Sequence, residues 1–332
     1  METQNSQPSQ TSDNTIQTPS VKTIRRPPVT IGNDSIRAVQ RRIALATIWV
    51  PFLGTLVAIG VAFVYGFSPV AIALLVSFYI LTNLGIEFGF HRNLAHKAFD
   101  THPFIQAMFA ILGSMAAEGS VLYWVATHRR HHIHSDTAND PHSPYIRKVS
   151  VEEEPLNLLT GLWHAHVGWM ITDKLTNCTL FAKDINQNQV LYKINQLYIP
   201  IVVLGLIIPA VIEGIVERSW IGLLNGFLWG GLVRMFLVHH STWSNGSFAH
   251  RYGTRPFNTG DLSANNIWVA IPTFGASWQN NHHAFPNSAF LGFKWWQIDV
   301  AGWFIYIFAK LRLVWNVKQV TYQMLEEKIK VN

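Results

Sequence analysis

The sequence predicts an all-α integral membrane protein, with four transmembrane helices in two hairpins beneath a histidine-rich helical cap. Three observations support this. Charged residues make up only 13% of the 332-residue chain, against about 25% in a typical soluble domain. Four apolar runs are each close to the length of about 20 helical residues that a bilayer core demands. The segments outside those runs carry all 15 histidines.

Residues 1–40 are rich in Ser, Thr, Gln, Asn and Pro and have no hydrophobic signal core. They read as a disordered polar tail rather than a secretory leader. A membrane domain over 41–315 follows. Its first two spans are expected near 43–65 and 69–90, and only Phe67 and Ser68 need turn the chain between them. Phe104 to Ala117 is apolar but short for a span, which suits a re-entrant or interfacial helix. Val121 to Val190 is mixed and polar, and reads as an extramembrane helical domain. The third and fourth spans are expected near 197–216 and 220–238, separated by Glu217, Arg218 and Ser219. The cap therefore comprises 91–196 and 239–315, and a short apolar run lies at Val300–Ala309. Residues 316–332 form a C-terminal tail. No internal repeat is visible.

Two tight hairpins leave the N-terminal tail, the central segment and the C-terminal segment on one side. Lys22, Arg25, Arg26, Arg37, Arg41 and Arg42 precede the first span. The positive-inside rule places that side, with both termini, in the cytoplasm. The net charge of +6 suits anionic membrane lipid or an acidic partner. No basic tract interleaved with aromatics sits on a polar domain, so nucleic acid is not an expected ligand. Cys178 is the single cysteine, which excludes an intrachain disulfide and a cysteine-based metal site.

Eight histidines fall at ordered spacings: His91 and His96 in HRNLAH, His128, His131 and His132 in HRRHH, His250 in SFAHRYG, and His282 and His283 in QNNHH. Imidazole suits iron, zinc, copper and nickel. His128, His131 and His132 share one helix face and can serve one metal or two. Adjacent His282 and His283 point apart, which suits two neighbouring metals. A five-residue step on an α-helix leaves His91 and His96 about 140° apart. They converge on one metal only if the helix frays between them; otherwise they serve two. His102, His134, His142, His164, His166, His239 and His240 have no repeated spacing and are read as structural or as partners of the ligands. A transporter would place its ligands near the bilayer midplane; these lie at span ends.

With those boxes in order, the chain resembles the membrane-bound acyl desaturases of the stearoyl Δ9 type. GFHRNLAH, LYWVATHRRHHIHSDTANDPHSP, HVGWM, AKD, HRYGTRPFNTGD and NNHHAFPNSA carry the resemblance, over about residues 40–315. It implies a cytosolic cap with a narrow acyl tunnel. It also implies two iron ions held by nine histidines and a water-linked asparagine, with O2 as co-substrate. The family ligands carry over onto His91, His96, His128, His131, His132, His250, His282 and His283. The ninth position is Gln279, whose amide oxygen is a harder, weaker donor than imidazole. The asparagine position is Gly246, with Asn245 one residue earlier as a substitute. Ala276 stands where relatives often carry an acidic residue.

The resemblance implies insertion of a cis double bond, at Δ9, into a long-chain acyl substrate carried as acyl-CoA, acyl-lipid or acyl-ACP. The alternatives are a diiron lipid hydroxylase, an acetylenase, or an impaired homologue that binds lipid. Breaking an unactivated C–H bond is work for the cofactor; the protein fixes ligands, excludes water and aligns one methylene. No catalytic residue beyond the metal centre is therefore expected. Carboxylates should orient the ligating imidazoles. The candidates are Glu87, Glu118, Asp136, Asp140 and Asp261, with Asp140 and Asp261 foremost because they lie in matched motifs. Trp124 matches an aromatic beside the acyl tunnel. No electron-transfer module is visible, so electrons are expected from a separate carrier such as ferredoxin or a cytochrome b5.

Overall fold

Apolar length sets the frame of the molecule. In this computed structural model, which describes residues 27–32, 34–149, 152–172 and 175–329, four helical runs are long and apolar enough to cross a membrane: Asp34–Tyr65, Pro69–Ala95, Tyr198–Glu217 and Trp220–Arg251. Most of the expected tail, residues 1–26, lies outside the described residues. The part from residue 27 onward departs from that expectation. β1 (Thr30–Ile31) pairs antiparallel with β5 (Leu175–Thr176), and helix α1 already begins at Asp34 and runs to Tyr65. Pairing with a distant strand organises a segment whose composition alone reads as disordered.

Helix α2 (Pro69–Leu84) starts at a capped turn. The Ser68 hydroxyl accepts from the Ala71 backbone N–H at 3.3 Å, and Pro69 occupies the first turn. The run continues as a π-helical segment, Gly85–Ala95. Against it packs α3 (Pro103–Met115), the short apolar helix, with Ile105, Phe109 and Ala110 buried. Gly85 permits this approach: a Cβ there would lie 2.1 Å from the Gly113 backbone nitrogen. Helix α4 (Val121–His134) follows.

The rest of the cap is built from short pieces. They are hairpin β3 (Ile146–Val149)/β4 (Glu152–Pro155) and helices α5 (Leu158–His166), α6 (Cys178–Phe181), α7 (Lys183–Gln187) and α8 (Gln189–Gln196). The third apolar run is α9 (Tyr198–Glu217), closed by Arg218 in the left-handed conformation. The fourth starts as α10 (Trp220–Asn225), passes through a π-helical stretch at Gly226–Val233, and continues as α11 (Arg234–Gly246) and α12 (Phe248–Arg251). It outruns its expected end at 238 because polar and aromatic residues beyond that point stay helical.

Two cores grip the π-helical segment of the second run from opposite sides. Phe90 lies with Val121, Val125, Phe181 and Leu191. Phe88 lies with Phe99, Phe109 and Ile305, its ring 4.2 Å from that of Phe109. Burying one such aromatic contributes about 1.5–3 kcal/mol. Arg92, also within the segment, forms a buried bidentate pair with Asp299, at 2.6 and 3.1 Å. Asp299 caps α14 (Val300–Lys310) by accepting from the Gly302 N–H. The C-terminal residues fold back onto the rest of the chain. β6 (Val314–Trp315) pairs with β2 (Asp100–Thr101), and α15 (Tyr322–Lys328) returns to α13 (Gln279–Ala284), where Lys328 Nζ donates to Ala284 O at 2.5 Å.

Candidate metal centre

The π-helical geometry settles the relation of His91 to His96. The His96 N–H donates to His91 O at 3.1 Å, a five-residue bond, and such a wide turn brings residues five apart onto one face. Their ring centroids are 5.0 Å apart, so the α-helical angle does not apply. On α4 the three histidines divide between two groups, and on α13 the adjacent pair does the same.

His91, His96, His128, His132 and His282 form one group whose ligand nitrogens lie within 4.8 Å of one another. Nε2 faces Nε2 at 3.0 Å for His91 and His282, 2.7 Å for His96 and His128, and 2.9 Å for His282 and His132. His131, His250 and His283 form a second group by the same criterion. The two groups abut: the rings of His131 and His132 are 5.5 Å apart, and those of His132 and His283 are 4.5 Å apart. His250 stands in the last turn of the fourth helical run, not in a separate segment after it.

Carboxylates orient these rings. Nδ1–H of His91 donates to Glu87 at 2.8 Å, of His131 to Asp140 at 2.9 Å, of His250 to Asp136 at 3.3 Å and of His283 to Asp261 at 2.6 Å. Each such bond leaves Nε2 as a lone pair facing the cluster. Asp261 is itself held by the hydroxyls of Thr259 and Ser263, both at 2.6 Å. Asp140 accepts from the backbone of Asp136 and His142. Burial raises the carboxyl pKa of Asp140 and Asp261, but their histidine partners outweigh it and hold both well below the usual range. Glu118 does otherwise. It accepts from Trp243 Nε1 at 3.1 Å, and burial drives its pKa well above the carboxylate range.

These residues suit a metal. Burial first, then neighbouring imidazoles, keeps His96, His128, His132 and His282 well below the usual histidine pKa. Burial lowers His283 to about 4 against the pull of Asp261. Neutral imidazole is the form that ligates. Nε2 of His250 and of His283 is buried without a partner, as is Asn245 Oδ1. Gln279 commits its nitrogen to Ala276 O at 2.8 Å, which leaves its amide oxygen as the available donor.

A cavity of about 100 Å³ opens beside the histidines, with Trp124, Thr127, Trp243, Asn245 and Gln279 in its wall. Trp124 stacks on His128 at 5.0 Å. Glu118 and Tyr123 separate this cavity from an apolar one of about 470 Å³ between α1 and Tyr198. On the other side, Tyr123 and Trp169 adjoin a polar cavity of about 650 Å³ that holds Arg37, Arg130 and Arg147. Sequence reasoning passed over Tyr123, Trp169 and Trp243, because single aromatics carry no spacing signal. Of the unpatterned histidines, His102 lies against Trp315, His239 donates to Ala116 O at 2.8 Å, and His166 pairs with His240 at 2.9 Å. Of the seven unpatterned histidines, His142 alone lines the cavity beside the clusters.

Comparison with known proteins agrees with this site. The family model described as fatty acid desaturase matches residues 65–303. A hex-5-enoyl-[acyl-carrier protein] acetylenase of Moorena producens (strain JHB) is 48% identical over 299 residues, covering 90% of this chain and 92% of that protein. An sn-1 stearoyl-lipid 9-desaturase of Anabaena variabilis is 34% identical over 80% of this chain and 91% of its own. An acyl-CoA C20 Delta5-desaturase of Anemone leveillei is 34% identical over 70% and 69%. Relatives of this kind are oxidoreductases acting on fatty acyl substrates, and with its histidine clusters in place the chain belongs to the fatty acid desaturase family.

Proposed function

We propose that this protein is an oxygen-dependent fatty acyl desaturase that inserts a carbon–carbon double bond into a bound acyl chain. The observation that carries this reading is the pair of abutting, buried imidazole clusters beside a narrow cavity walled by Trp124. His91, His96, His128, His132 and His282 hold one iron, and His131, His250 and His283 hold the other with Gln279 and Asn245. Bound there, the two irons supply, with O2 and two electrons, the power to remove two hydrogens from unactivated carbon. The overall balance consumes O2, two electrons and two protons, and yields the unsaturated chain and two waters. The protein's share is positional. Glu87, Asp136, Asp140 and Asp261 fix the imidazoles, and Trp124 and Trp243 flank the chain and exclude water.

In this reading the four apolar runs form two hairpins through the bilayer, with the cap, both termini and the metal centre on the cytoplasmic side. Arg37, Arg41 and Arg42 in the first turns of α1 support that orientation. The acyl chain enters from the polar cavity, at whose wall the part-exposed Arg37 and Arg147, each paired with one carboxylate, lie near the surface. Electrons come from a separate carrier such as ferredoxin or a cytochrome b5.

A second reading, acetylene formation, is favoured by the 48% identity to an acetylenase that covers 90% of this chain. The small free volume beside the histidines also suits a short chain. Expression in a bacterial host with an electron donor, followed by mass spectrometry of acyl products, separates the two. Loss of two hydrogens from a saturated chain is the expected result. Loss of two from an alkene substrate establishes the acetylenase, and a gain of oxygen overturns both in favour of hydroxylation. A His282→Ala protein should give no product. A product found only with Gln279→His would show that the natural site is impaired.

A further inference from the structure

The two clusters are unequal, with five imidazoles in one and three in the other. A metal in the smaller cluster therefore depends on donors from the cavity wall beside it. His142 is placed for this. Its backbone N–H donates at 3.0 Å to Asp140 Oδ1, the carboxylate that also orients His131 at 2.9 Å. The two rings lie side by side, with centroids 4.3 Å apart and planes 31° apart. His142 Nδ1 is buried and unpartnered; at 3.9 Å it is beyond hydrogen-bonding reach of Asp140.

Across from that nitrogen stands Gly246. A Cβ there would lie 2.9 Å from His142 Nδ1 and 3.3 Å from its Cε1, so the imidazole fills the space that a side chain at 246 would need. Asn245 Oδ1, next in the chain to Gly246 and in the same cavity wall, is another buried acceptor without a partner. A metal-bound water has two hydrogens to donate and needs polar partners to be held. His142 and Asn245 offer two such acceptors, and the cluster three nitrogens.

We propose that His142 Nδ1, with Asn245 Oδ1, holds a water on the metal of the His131–His250–His283 cluster, and that position 246 is glycine so that the His142 ring can stand there. The inference rests on the two-iron reading above.

The test is iron content and Mössbauer spectra of the purified protein, both independent of turnover. His142→Ala should weaken iron at one site by roughly 10–100-fold, the usual effect of losing an outer partner, and leave the other site's signal unchanged. Gly246→Ala should do the same with His142 intact, by displacing its ring. The double variant His142→Ala/Gly246→Asn should recover the lost iron, because an amide then occupies the vacated space. Two irons with unaltered spectra in His142→Ala would overturn the inference and leave the two-iron reading standing. Equal loss from both sites with no rescue would reduce His142 to a structural role and overturn it too. Wild-type protein that takes up iron at neither cluster would overturn both.

Discussion

His91 Nε2 and His282 Nε2 stand 3.0 Å apart although 191 residues separate them in the chain. Glu87 accepts a hydrogen bond from Nδ1–H of His91, so its Nε2 presents a lone pair. Two lone pairs at that distance repel unless a cation or proton lies between them. The first prediction follows. Glu87→Gln leaves the ring in place but removes the charge that fixes its tautomer. Iron affinity of the five-histidine cluster should fall by roughly 10–100-fold, measured by chelator competition. Unchanged affinity would mean that Glu87 plays no part in orienting the ligand.

A second prediction concerns what carries His91 and His96. Arg92 and Asp299 are both buried and paired at 2.6 Å, joining the π-helical segment to α14. Removing one member leaves the other charge buried alone, which costs about 3–5 kcal/mol. Arg92→Ala should therefore lower the melting temperature in detergent and the yield of folded protein. The double variant Arg92→Leu/Asp299→Leu should recover part of the loss. A melting temperature equal to wild type for Arg92→Ala would contradict this account of the pair.

The pH dependence of stability gives a third. His166 packs against His240 and Ser247. Burial first, and His240 second, lowers its pKa from 6.5 to about 4, against a smaller opposing backbone contact. As pH falls below 6.5, the unfolded chain takes up a proton that the folded ring refuses until about 4, so stability is lost across that window and untouched above it. Metal-free protein should melt progressively lower through the window. Other buried histidines add to the wild-type slope, so the difference from His166→Asn isolates this residue. Parallel curves for the two proteins would rule out His166 as a contributor.

Much of the site could be read from order and spacing. The boxes around His91, His128, His250 and His282 mark the donors, because imidazoles at fixed helical offsets are visible in one dimension. Asp140 and Asp261 stood out by motif, and both contact their histidines. Asp136 and Glu87 were no better marked than Glu118, yet only the first two reach a ligating ring. Glu87 stands four residues before His91, a spacing readable in the sequence, whereas Asp136 meets His250 across 114 residues, which only folding brings together.

The sequence by itself determined the length and polarity of the four apolar runs, the histidine inventory and the single cysteine. These follow from composition and local periodicity. The tertiary structure decided which histidine joins which cluster. The wide turn at Gly85–Ala95 brings His91 and His96 together. That segment packs against α3 and two hydrophobic cores, with Gly85 and Gly89 allowing the close approach. The same kind of packing splits His131 from His128 and His132, and sets His142 against Gly246. Such choices depend on groups far apart in the chain meeting at van der Waals distance, so they exist only once the helices have packed.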